Sequence, residues 1–101
     1  MKARSRLPVE LIDRMSRVLR VLAHTHRLQI VEMLDRNGKL PVHEIVERLG
    51  IPQATVSHHL NKMTDAGLIK SERRAREVWY TVADPRSLTI LDCLRKKGNT
   101  S

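Results

Sequence analysis

Apolar residues fall on helical stripes through most of the chain. Ile12, Met15, Leu19 and Leu22 recur at helical spacing, which predicts a helix from Pro8 to about Leu22, with Val9, Val18 and Val21 widening its apolar face. A face that broad, at the edge of a small domain, usually packs against something besides its own core. Ala23-His24-Thr25-His26 interrupts the pattern. Thr25 has the chemistry of an N-cap, so a second helix is expected from Arg27 to about Arg36, with Asn37-Gly38 ending it. Val42, Ile45, Val46 and Leu49 lie on one face of a short third helix that Leu40-Pro41 opens. A fourth helix lies between Pro52, which fits a first helical turn, and Gly67, which fits the left-handed position past a helix end. After Gly67, Leu68 to Arg73 and Glu77 to Val82 read as two short strands, the second rich in β-formers. Asp84-Pro85 then starts a last helix, with Leu88, Ile90, Leu91 and Leu94 apolar and Arg95-Lys96-Lys97-Gly98 at its end.

The fourth helix carries the candidate chemistry. Val56, Leu60 and Met63 form its inner stripe, while Ala54, Ser57, His58 and Asn61 form the outer one. Small polar side chains there let a helix sink into a major groove and touch base edges, where long charged ones would hold the duplex away. Gln53 is placed to bond an adenine edge or a phosphate, Thr55 lies beside the outer stripe within phosphate reach, and Lys62 adds a charge. His59 sits next to the inner stripe and is expected to be a hydrogen-bonded structural histidine. The third helix, the turn Gly50-Ile51-Pro52 and this helix together make a helix-turn-helix. Arg73, Arg74 and Arg76 cluster at the tip between the strands, a position suited to phosphate contact, although no glycine there fixes the hairpin register.

Composition narrows the partner. At 101 residues the chain has room for one domain, read here as a flexible basic arm over 1–7 and a single unit over 8–101. Nineteen Lys and Arg against eleven Asp and Glu leave a charge of +8, which calls for a polyanionic partner or an anionic membrane surface, nucleic acid being the better fit. No apolar run approaches the roughly 18 residues of a membrane span, and no apolar signal core opens the chain, so a cytoplasmic protein that binds nucleic acid and no membrane is expected. Phosphate-cradling glycine motifs, a nucleophile elbow and HExxH are all missing, which argues against an enzyme. His24, His26 and His43 match no ligand spacing, and no CxxC occurs, so neither metal nor other cofactor is expected. Cys93, the single cysteine, lies at the margin of the last helix's apolar stripe and reads first as a small buried hydrophobe, second as a redox or thiol ligand.

The order of three helices, a reading helix, a hairpin and a last helix is that of a winged helix-turn-helix: mainly α, about five helices plus one β-hairpin wing. The segments Leu22 to Leu34, Val42 to Ile69 (with TVSHHL and the Ala-Gly-Leu stop) and Val78 to Pro85 resemble the ArsR/SmtB family of bacterial transcriptional repressors. That resemblance implies a homodimer on a palindromic double-stranded operator, with the first and last helices forming the dimer interface through Ile12, Met15, Leu19, Leu88, Leu91 and Leu94. It also implies that the TVSHHL helix enters the major groove and that the wing touches flanking DNA. The family's metal-sensing members carry paired cysteines where this chain has Lys39 to Ile45, and others carry histidines on the last helix, where Asp84 to Ser101 has none. No effector is specified. The alternative reading is a winged helix used for protein interaction or RNA binding. Against it stand the polar outer face and the alternation of Trp79 and Tyr80, which leaves no aromatic platform on one face of a strand.

Overall fold

In the computed structural model, which describes residues 4–98, the apolar stripes become five helices: α1 (Val9–Leu22), α2 (Thr25–Asn37), α3 (Val42–Leu49), α4 (Gln53–Asp65) and α5 (Arg86–Gly98). Three strands complete the fold: β1 (Lys39–Pro41), β2 (Ile69–Arg74) and β3 (Glu77–Val82). They form one antiparallel sheet in the order β1-β3-β2. The basic arm expected over 1–7 falls partly on residues outside the described ones, and residues 4–7 take no regular structure.

Helix α2 is the centre of the packing. It touches every other helix, β1 and β3, and its Ile30, Val31 and Leu34 are at most 1% exposed. Around it close Leu22 from α1, Ile45 from α3, Val56, Leu60 and Met63 from α4, Leu68 and Ile69 at the start of the wing, and Leu91 from α5. Side chains of this kind each contribute about 1.5–3 kcal/mol when fully buried, so aliphatic residues dominate the core, with Tyr80 packed against it. Arg95 fastens α5 to α2 through Asp35 at 2.8 Å, with Glu32 at 3.8 Å.

Two local features depart from the sequence expectation. Lys39 to Pro41 forms a strand rather than the start of α3, because β3 offers an open edge: Leu40 lies opposite Tyr80 and Pro41 opposite Trp79. Leu40 is thereby buried, and Pro41 leaves the strand in an extended conformation (ψ 156°) as the N-cap of α3. The cap of α2 is His24 rather than Thr25. Its extended backbone (φ −157°, ψ 128°) lets its Nδ1 accept from the His26 N–H at 3.2 Å.

Candidate nucleic-acid interface

The turn between α3 and α4 sets the direction of α4. Gly50 adopts φ 67°, a left-handed conformation that L side chains disfavour, and its N–H closes α3 on the Val46 carbonyl. Pro52 then precedes α4, and its carbonyl accepts from the Thr55 and Val56 N–H groups. At the far end Gly67 (φ 77°) reverses the chain, while the Leu68 N–H bonds back to the Met63 carbonyl at 3.0 Å. The reversal feeds α4 directly into β2.

Every position of α4 follows from its two faces. Val56, Leu60 and Met63 are fully buried, and the expected contact residues Gln53, Ala54, Thr55, His58, Asn61 and Lys62 are exposed, with Ser57 half-buried. The face assigned to reading is thus free of the protein's own core. The wing closes with Arg74 opposite Glu77 across the two residues Ala75 and Arg76. Ala75 takes φ 55°, the left-handed position that glycine would fill more cheaply. Arg73, Arg74 and Arg76 are exposed, with the Arg74 guanidinium donating to Glu72 at 3.1 Å.

His59 lies on the rear of α4 and is 4% exposed. Its Nδ1 accepts from Arg27 Nε at 3.1 Å, and Arg27 Nη1 donates to the Val21 carbonyl at the end of α1, also at 3.1 Å. Burial, then the neighbouring His24 and the Arg27 charge, hold His59 below the usual histidine pKa, which favours its neutral form. The structural role expected for this residue is the one its geometry describes. Sequence spacing missed what surrounds it. His24, His26 and His59 each bring a ring nitrogen within 4.8 Å of the others, the His24 and His59 rings meeting edge-on at 4.4 Å between centroids. The two elements involved are more than thirty positions apart in the chain, which no motif search along it detects.

The residues assigned to a subunit interface divide. Ile12, Leu19 and Leu94 are about half exposed at 51%, 48% and 54%, and Met15 and Leu88 are partly buried. Leu91 is a correction: at 3% exposure it belongs to the protomer's own core, on the α5 face that packs against α2. Cys93 is another. It is exposed, because the α5 stripe that packs inward runs through Ser87 and Leu91 and leaves position 93 outside it.

Known proteins share this arrangement. Residues 24–71 match the model of the bacterial regulatory protein arsR family. The repressor SmtB of Mycobacterium tuberculosis is 43% identical over 92 residues, covering 90% of this chain and 67% of that protein. The chain belongs to the arsR family. It is a DNA-binding transcriptional regulator with a winged helix-turn-helix fold. Among solved structures of similar fold, the transcriptional repressor PagR of Bacillus anthracis superposes with a TM-score of 0.77 at 32% identity, covering 86% of this chain and 99% of that one. The homodimeric winged helix-turn-helix domain of Mb0332 from Mycobacterium bovis gives 0.74 at 25% identity, covering 98% and 91%. A family of transcriptional regulators disfavours the protein-interaction and RNA-binding alternative. Among the described residues, no helix is long and apolar enough to cross a membrane.

Proposed function

We propose that this arsR-family chain is a cytoplasmic repressor that binds a palindromic operator as a homodimer, reading bases with α4 and gripping phosphates with the wing. One observation carries the reading: the outer face of α4, from Gln53 to Lys62, is small, polar and uncovered, while its inner face is sealed. Exposed Arg73, Arg74 and Arg76 at the wing tip supply the sequence-independent part of the affinity. Dimerisation is supported by the exposed Ile12, Leu19 and Leu94, and by an apolar cleft of about 210 Å³ between α1, α2 and α5 lined by Leu19, Leu22, Ala23, Leu28 and Ile90. The names SmtB and PagR carry as repressors, and the homodimeric state of Mb0332, point the same way. A two-fold pair of reading helices meets successive major grooves about 34 Å apart, so the operator is an inverted repeat with half-sites roughly one turn apart.

The test is selection of bound duplexes followed by titration over a range of salt. His58→Glu abolishes preference for the selected sequence, a loss of roughly 1–3 kcal/mol per base contact. Arg76→Ala weakens binding to all duplexes alike and reduces the log–log salt slope by about 0.9. A wing substitution that changes sequence preference while leaving the salt slope intact overturns the division of labour.

A further inference from the structure

The three histidines behind α4 form a second candidate site. His24 caps α2, His26 lies in its first turn, and His59 projects from the rear of the reading helix. Their burial is graded: His59 is buried, His26 half-buried and His24 exposed. An ion therefore has a route in from the His24 side and an anchored ligand at the bottom. The nitrogens lie within 4.8 Å of one another, whereas ligands on a tetrahedral ion with metal–nitrogen bonds of about 2.0–2.1 Å stand roughly 3.3 Å apart. The required closure is of the order of 1.5 Å, within reach of ring rotations at His24 and His26. Three imidazoles without thiolate or carboxylate suit zinc, copper, nickel or cobalt rather than calcium or magnesium.

We propose that His24, His26 and His59 bind one divalent first-row transition ion per chain, and that the ion and the Arg27–His59 hydrogen bond exclude each other. The exclusion follows from proton bookkeeping. A neutral imidazole has one lone pair available in the ring plane, and in His59 it is the Nδ1 lone pair, which accepts from Arg27 Nε. An ion bound through Nδ1 takes the place of that donor. An ion bound through Nε2 moves the ring proton to Nδ1, where it faces the Arg27 N–H, and two donors cannot bond. Either way Arg27 is released from α4 and keeps its second bond, to the Val21 carbonyl at the end of α1. The same reasoning applies at His24, whose Nδ1 accepts from the His26 N–H, so loading the ion also loosens the first turn of α2. The site thus sits at the junction of α1, α2 and α4, one residue from the exposed His58.

The experiment uses the full chain freed of any affinity tag and stripped with chelator. Zinc affinity is measured by competition with a chromophoric chelator, and stoichiometry by native mass spectrometry. Wild type is expected to hold one ion per chain. His26→Ala removes a ring that makes no hydrogen bond among the described residues, and is expected to weaken zinc at least tenfold while its circular dichroism stays unchanged. His43→Ala, whose ring pairs with Glu77 on the wing, leaves affinity unchanged. Arg27→Met removes the competing donor and its charge, and tightens binding about tenfold or more. No ion retained by wild type at roughly 0.1 mM free zinc, or a loss under tenfold in His26→Ala, overturns the site. Unchanged or weaker binding in Arg27→Met overturns the exclusion.

Discussion

Helices α1 and α4 carry apolar stripes of the same period, yet one is sealed and the other is not. Val56, Leu60 and Met63 of α4 show no exposed surface. On α1, Val18 and Leu22 reach the core, while Val9, Ile12 and Leu19 remain 76%, 51% and 48% exposed. The difference lies in how many elements surround each helix. α4 is enclosed by α1, α2, α3 and β2, whereas α1 meets only α2 and α4 closely. Periodicity thus defines a face, and topology decides whether the protomer's own elements cover it.

The largest effect that tests this contrast is Leu60→Ala. Truncating a fully buried leucine leaves a cavity, and about 2–5 kcal/mol of unfolding free energy should be lost, measured by urea denaturation. Substitutions on the exposed faces of α1 and α5 act elsewhere. Leu19→Asp and Leu94→Asp should leave protomer folding within about 0.5 kcal/mol, as surface substitutions do. In the proposed dimer they bury a charge, shift sedimentation toward monomer, and lower operator affinity at least about a hundredfold, or roughly 2.7 kcal/mol. A monomeric variant that bound its operator as tightly as wild type would sink the dimer assignment.

The smallest effect concerns how the two outer helices begin. Pro8 gives α1 no side-chain cap, whereas Asp84 accepts from the Arg86 N–H at 2.9 Å and pairs with the Arg86 guanidinium. Asp84→Ala should cost about 1 kcal/mol at pH 7 through the lost cap. The hydrogen bonds from Arg86 hold the Asp84 carboxyl below its ordinary pKa of 3.8. A depressed carboxylate stabilises the native state above its unfolded pKa and loses that contribution as pH falls through its native value. The gap between wild type and Asp84→Ala should therefore stay constant from pH 7 to 5 and close below 3.8. A gap that persisted in acid would assign the effect to packing.

All five helices were legible from apolar spacing, because each has a stripe long enough to show its period. β1 was not: three residues, Lys39-Leu40-Pro41, show no period, and their partner strand lies some forty positions away. The outer face of α4 was legible for the same reason as the inner one, since naming one stripe names the other. The histidine cluster was invisible because its members come from an α2 cap and the rear of α4, brought together only by tertiary packing. Exposure at Cys93 and burial at Leu91 turned on a rotation of α5 that four apolar residues in a short helix leave loosely determined.

β1 has a consequence for affinity that requires no additional contact with DNA. The wing is held on one side by the pairing of β3 with Lys39 to Pro41, by Thr81 Oγ1 donating to the Gly38 carbonyl at 2.8 Å, and by His43 against Glu77 at 2.7 Å. On the other side it continues from α4 through Gly67 and Leu68, with Leu68 buried. A hairpin fixed at both sides is a stiff arm, and a stiff tether of the right span raises the effective concentration of the second contact once the first is made. In the proposed binding mode, seating α4 on a duplex makes engagement of the wing arginines close to an intramolecular step. In that mode the three residues of β1 couple the two contacts into one event with a longer residence time.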